Sequence, residues 1–207
     1  MKEALLVVAG YVLGSLPFGY WLPRAVRGID IRAVGSGNVG ASNVWRGCGA
    51  RLGVAVAVLD IAKGAAAALL GRYLGDELIG VLAGTAAMAG HWRPLFLGVG
   101  RGGKVVATTG GVVLALAPLA GLCATGVWIV VFLAFRYASL ASLVAGLTLP
   151  LFAVGFAASR PVIGFTIAAA LAIVALHRGN IRRLVRGEER RASFSVRARL
   201  RRFAASL

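Results

Sequence analysis

The chain has 207 residues, 59% of them hydrophobic and only 14% charged, with a mean hydropathy of +0.84, against roughly 45–50% apolar and about 25% charged in an ordinary soluble domain. So few charges cannot cover so much apolar surface in water, which excludes a soluble globular domain and places the chain in a bilayer. Its 23 Lys+Arg against 7 Asp+Glu, a formal charge of +16, would suggest nucleic acid in a soluble protein. In a membrane protein the excess instead reports orientation, because Lys and Arg collect in cytoplasmic loops.

Seven apolar segments follow in order: 4–22, 52–70, 78–90, 105–118, 120–135, 138–158 and 162–176. A full crossing takes about 20 residues, with about 17 the usual minimum, so the third and fourth segments borrow flanking residues or stop below the surface. Lys2 before the first apolar run has the look of a signal peptide, but no A-x-A site follows at the right distance. The run is read as the first span. The stretch 105–135 is 31 residues without a charge, too long for one perpendicular helix, and Pro118 before Leu119-Ala120-Gly121 marks the turn. With the N-terminus outside and seven spans, the stretches 23–51, 91–104, 136–137 and 177–207 are cytoplasmic and hold 19 of the 23 Lys/Arg. Six spans would invert the second half and spoil that asymmetry. The reading is an all-α polytopic membrane protein with a cytoplasmic C-terminus, one helical domain over 1–189 and a basic tail over 190–207. Cys48 and Cys123 stand alone, with no CxxC and no histidine at ligand spacing, so no disulfide framework or zinc site is expected.

The polar residues cluster. The first inside loop runs Gly35-Ser36-Gly37-Asn38-Val39-Gly40-Ala41-Ser42-Asn43-Val44-Trp45-Arg46. Its glycines let backbone amides approach an anion, its Ser and Asn side chains are neutral donors, and Arg46 is a bidentate cation, a set suited to phosphate. The G-x-G-x-x-G match within it carries no weight without a βαβ unit. The second inside loop ends Gly98-Val99-Gly100-Arg101-Gly102-Gly103-Lys104. This satisfies G-x-x-x-x-G-K, but Val105 occupies the magnesium-ligand position and no strand precedes, so a nucleotide hydrolase is rejected. Exposed amides with Arg101 and Lys104 still form a second anion cradle. The third group is His177-Arg178-Gly179-Asn180 at the inner end of the last span, where His177 and Asn180 share a helix face.

Within the spans, Asp60 and Lys63 sit three apart at membrane depth, as a structural ion pair or as functional groups. Ser139 and Ser142 share a face beside Arg136, as ligand donors or as helix-packing serines. The constellation is cationic and short of carboxylates, which fits a phosphorylated substrate and requires no metal.

These motifs resemble the bacterial acyl-phosphate:glycerol-3-phosphate acyltransferases, an integral membrane family. The resemblance rests on G-S-G-N-V-G-A-S-N-V-W-R at 35–46, G-H-x-x-P-x-F with G-G-K-x-V-A-T at 90–108, and H-R-x-N-I-x-R-L-x-x-G-x-E at 177–189. L-D-x-x-K-G at 59–64 and R-Y-x-S-L-x-S at 136–142 also match, and all five stand in the family's order. The resemblance implies seven spans in the bacterial plasma membrane, with the active site on the cytoplasmic side. It implies acyl transfer from acyl phosphate to the 1-hydroxyl of sn-glycerol 3-phosphate, without metal or cofactor.

By position it assigns Ser36 and Arg46 as a functional pair and Lys104, Gly102 and Gly103 as the glycerol-3-phosphate loop. Ser142, His177 and Asn180 become further active-site positions, and Glu188 a structural one. Asn38, Ser42, Asn43 and Arg101 complete the expected phosphate-binding set. Ser36, without a base in sight, is read as a positioning donor in preference to a nucleophile.

Membrane lipid and the enzyme that supplies acyl phosphate are the implied partners, and nucleic acid is not. Ser42 stands where the family usually has Thr, a mild change that keeps the hydroxyl, and three further positions depart from the family pattern. Arg101 and Val105 replace the first Lys and last Gly of K-G-G-K-G, and Arg93 replaces an aromatic. These keep open a divergent paralogue acting on another phosphorylated acceptor, and a small transporter for anions stands as the alternative class. In the tail, Val196, Leu200 and Phe203 mark one apolar face among arginines, read as an interfacial amphipathic helix or as a disordered basic extension.

Overall fold

The computed structural model describes residues 1–192, and the helix expected at Val196, Leu200 and Phe203 lies outside them. Ten α-helices and two short 3-10 turns make up the fold: α1 (Lys2–Gly14), α2 (Phe18–Arg27), α3 (Ala41–Cys48), α4 (Ala50–Leu74), α5 (Glu77–Trp92), α6 (Val106–Leu116), α7 (Pro118–Phe135), α8 (Ala138–Gly155), α9 (Arg160–Leu176) and α10 (Arg178–Val185). Four stretches, 2–27, α4, α7 and α8, are long and apolar enough to cross a membrane, and α9 with α10, bent by 59°, makes a fifth.

Where the sequence suggests one segment over 4–22, the helix breaks between Gly14 and Phe18. Pro17 has no N–H for the ladder and disfavours helical backbone at Leu16. The chain continues as α2, with Arg24 and Arg27 in its last turn and a stop at Gly28 in the left-handed conformation (φ 67). The expected turn at Pro118 forms, with the proline opening α7 at its first turn, where its missing N–H costs nothing.

The long helix α4 is the hub, packed on α1, α2, α3, α5 and α6, while α7, α8 and α9 form a second layer that meets the first through α5 and α6. Between the layers lies an apolar core of Val112, Val113, Leu143, Leu149, Val162, Phe165 and Ile173. Inside the hub, small residues let helices approach until backbones touch. A Cβ on Gly14 would stand 2.0 Å from the Ala87 carbonyl oxygen of α5, and one on Gly111 would stand 1.9 Å from that of Ile61 on α4.

Val105, just before α6, has φ 59 and is 2% exposed. A β-branched side chain held in the left-handed region is strained, because its Cβ crowds the neighbouring carbonyl. Val105→Gly relieves that strain but gives up a buried side chain of the apolar core and frees the unfolded backbone, so its thermal midpoint in detergent is expected to stay level or fall. Gly111→Ala is expected to cost about 1–3 kcal/mol by overpacking, whereas Gly126→Ala, with open space around its Cβ, leaves the midpoint unchanged.

Candidate active site

The glycine-rich loop that leads into α3 is built around two asparagines. Asn43, 2% exposed and near the start of α3, donates from Nδ2 to the carbonyls of Ile31 (3.3 Å) and Val34 (2.8 Å) and accepts from the Ser36 N–H at 3.1 Å. Asn38 accepts from the Gly40 N–H and donates to the Gly102 carbonyl, both at 2.8 Å. Both amides thus staple backbone: Asn43 folds the glycine turn onto α3, and Asn38 ties the first inside loop to the second. Arg46 then projects from the last turn of α3.

In the second loop the amides of Gly102 and Gly103 are not free for an anion, as the sequence suggests. They donate to the carbonyls of Trp92 (3.0 Å) and His91 (2.9 Å) at the end of α5. Their part is to turn the chain tightly enough that Lys104 faces inward, where its Nζ hydrogen-bonds Asn180 Oδ1.

The third element brings a carboxylate that the sequence reading places one residue off. Glu188 is exposed and Glu189 takes the inward position. Its Oε1 accepts from Asn180 Nδ2 (2.6 Å) and Ser139 Oγ (2.9 Å), and its Oε2 from Arg183 Nε (2.7 Å). Burial pushes the Glu189 carboxyl up, but the three donors outweigh it and hold it below the usual range. The G-x-E ending of the third motif, read strictly, already falls on 189. Residues beyond it are pinned to the turn between α7 and α8. The Ala192 N–H donates to the Arg136 carbonyl at 2.8 Å, Arg136 Nε returns a bond to the Ala192 carbonyl at 3.0 Å, and Arg191 Nε donates to the Tyr137 hydroxyl at 2.9 Å.

His177 Nδ1 lies 2.8 Å from the Ile173 carbonyl, which places the proton on Nδ1 and leaves Nε2 as an acceptor. Ser142 donates to the Ala138 carbonyl at 2.7 Å and accepts from Trp128 Nε1 at 3.1 Å. Asp60 and Lys63 are an ion pair at 2.8 Å.

These elements enclose one cavity of about 340 Å³. Near the turn between α7 and α8 its wall is polar: Ser42, Arg46, Lys104, Ser139, Ser142, His177, Asn180 and Glu189. Away from that turn it is mostly apolar, lined by Val54, Ala57 and Val58 of α4, Val113 and Leu114 of α6, Ala124 and Trp128 of α7, and Leu149 of α8, with Asp60, His91, Thr109 and Thr125 among them. Among the expected site residues, Asn38 and Asn43 also line it, while Ser36, Arg101, Gly102 and Gly103 do not. Ser36 and Arg101 are exposed.

Arg46 Nε is buried with no hydrogen-bond partner among the described residues. Burial, with Arg190 and Arg183 nearby, lowers its pKa against the pull of Glu189, though a guanidinium stays charged. Burial likewise brings the Lys104 ammonium down to about 8, with Glu189 opposing and Arg183 and Arg46 assisting. A half-buried guanidinium whose Nε has no partner among the described residues, beside an ammonium of lowered pKa, is suited to receive an anion.

Comparison with known proteins agrees. The family model for glycerol-3-phosphate acyltransferase matches residues 4–187. The glycerol-3-phosphate acyltransferase of Desulforudis audaxviator (strain MP104C) is 47% identical over 194 residues, covering 92% of this chain and 97% of that protein. That of Geobacter sulfurreducens is 41% identical over 193 residues, covering 92% and 98%. Among solved structures, PlsY (YgiH), an integral membrane glycerol 3-phosphate acyltransferase, superposes in its glycerol 3-phosphate form with a TM-score of 0.89 at 39% identity, over 97% of this chain and 99% of that one. Its lysophosphatidic acid form gives 0.85 at 38% identity, over 92% and 95%. This chain is an all-helical, polytopic integral membrane protein and belongs to the glycerol-3-phosphate acyltransferase family.

Proposed function

We propose that the chain transfers a fatty acyl group from acyl phosphate to the 1-hydroxyl of sn-glycerol 3-phosphate, giving lysophosphatidic acid and inorganic phosphate. The observation that carries this reading is a cavity with Arg46 and Lys104 at its polar end and a mostly apolar wall beyond. Two anionic head groups fit the first part and an acyl chain the second. The bound forms known for PlsY, glycerol 3-phosphate and lysophosphatidic acid, are the acceptor and product this chemistry needs.

In the step itself the acceptor oxygen attacks the acyl carbonyl carbon, and the bond from that carbon to the phosphate oxygen breaks. The departing phosphate takes the hydroxyl proton. Acyl phosphate is already activated, so no protein nucleophile is needed. Arg46 holds phosphate through its free Nε and stabilises the negative charge that grows on the leaving group. Lys104, oriented by Asn180, holds the acceptor's phosphate, and His177 beside it helps to orient the acceptor. Ser36 and Ser42 at the rim donate to phosphate as it enters, and Arg101 attracts it from outside. Asn38, Asn43, Gly102 and Gly103 shape the two loops, and Ser142 fixes Trp128 in the wall.

Seven crossings of the bacterial plasma membrane with the N-terminus outside agree with this site. The four stretches that this topology places in the cytoplasm meet one another: Asn38 joins Gly102, Lys104 joins Asn180, and Arg136 joins Ala192. Val105 adopts the left-handed backbone that a glycine takes freely, so the turn before α6 keeps its path despite the substitution.

Purified protein given palmitoyl phosphate and labelled glycerol 3-phosphate is expected to form lysophosphatidic acid, and to form none from acyl-CoA. Arg46→Ala is expected to lower the rate by roughly 10²-fold or more. Product formed only with a different phosphorylated acceptor would overturn the assignment. The ammonium of Lys104 is charged below a pH of about 8 and loses its hold on phosphate above it. KM for glycerol 3-phosphate is therefore expected to climb as pH rises through that value. In Lys104→Met, KM is expected to be high and flat across the same range.

A further inference from the structure

At the back of the cavity, where α1, α4 and α5 meet, lies a group of ionisable side chains that the reaction as described leaves without a part. Asp60 and Lys63 have side chains only 2% and 3% exposed and pair at 2.8 Å. Lys63 Nζ also donates, at 2.9 Å, to the Leu16 carbonyl, where Pro17 interrupts the first helix. His91 Nδ1 stands 3.5 Å from the same Asp60 oxygen that meets Lys63.

The far edge of the imidazole is covered. A Cβ on Gly103 would fall 1.8 Å from His91 Nε2, so the ring lies flush against the Gly103 backbone, and His91 is 6% exposed. The Gly103 N–H also donates to the His91 carbonyl at 2.9 Å. The next residue in the chain is Lys104. A buried ion pair gives little net stability over well-packed apolar residues, and charges at membrane depth are costly. What this one supplies is a fixed geometry.

We propose that Asp60, Lys63 and His91 are positioning residues for the acceptor's phosphate. The buried pair locks the imidazole, and the imidazole props Gly103 so that Lys104 stands at the height where its ammonium meets glycerol 3-phosphate. The proposal rests on the reading that Lys104 binds that phosphate.

Two variants and two readouts test it in the full-length protein. His91→Ala removes the prop, and Asp60→Asn with Lys63→Met removes the pair without leaving a lone buried charge. Each is expected to raise KM for glycerol 3-phosphate by roughly tenfold or more while kcat stays within about threefold and KM for acyl phosphate holds. Modification of Lys104 by a water-soluble amine-acylating reagent, followed by mass spectrometry, is expected to speed up in both. Gly103→Ala alters only the loop and drives a methyl into the imidazole, so it serves if either span variant fails to fold. It is expected to raise the same KM, and its effect combined with His91→Ala is expected to be less than additive. Unchanged KM and unchanged labelling in folded variants, a loss of kcat at constant KM, or strict additivity would overturn the proposal. Wild-type protein that makes no lysophosphatidic acid would sink the reading of the reaction, and the Lys104 labelling would still decide whether the prop exists.

Discussion

Helix backbones in direct contact set the scale on which the rest of this molecule is built. Lipid supplies no hydrophobic force between helices, so association depends on close van der Waals fit and on polar groups that find each other. Gly14 against Ala87, and Gly111 against Ile61, bring α1, α4, α5 and α6 together with no side chain between them. That closeness lets a short inside loop such as 93–105 reach its neighbours. It also lets Lys63, on one helix, reach a carbonyl freed at the end of another.

The cavity follows from where this tight packing stops. α7 lies on α8 and touches α6 but does not pack against α4, so a space lined by small and branched residues runs down from the polar end. The polar end is kept in shape by side chains that are themselves fully engaged. Asn38 and Asn43 use their donors and acceptors on backbone, and Glu189 has three donors around it. Rigidity comes from groups whose hydrogen bonds are complete. An exception is Arg46 Nε, buried there without a hydrogen-bond partner among the described residues.

Much of this was legible in the amino-acid sequence. Hydropathy located the apolar segments and the loops between them, and residue types alone singled out Arg46, Lys104, His177 and Asn180, which the fold brings around one cavity. The break at Pro17 was missed because the apolar run continues unchanged past it, and hydropathy does not register the loss of one N–H. The engagement of Gly102 and Gly103 with α5 was missed because a glycine-rich loop looks the same in sequence whether its amides face a ligand or a helix end. Glu189 was missed although the G-x-E spacing falls on it, because two glutamates are adjacent; the backbone after Gly187 (φ 70) turns the second of them inward. The pairing of Asp60 with Lys63 was legible as spacing, but the imidazole it steadies lies 28 residues further along the chain.

The return of residues 189–192 to the turn before α8 has a consequence for biosynthesis. Chains are inserted from the N-terminal end, so Arg46 and Lys104 are in place long before the ribosome reaches Glu189. Until that segment emerges and docks on Arg136, Asn180 lacks its carboxylate and Lys104 its oriented partner. A nascent chain halted after α9 has its helices in the bilayer and its binding loops folded, yet no closed site. Among the described residues, the last to emerge are thus the ones that close the polar end of the cavity.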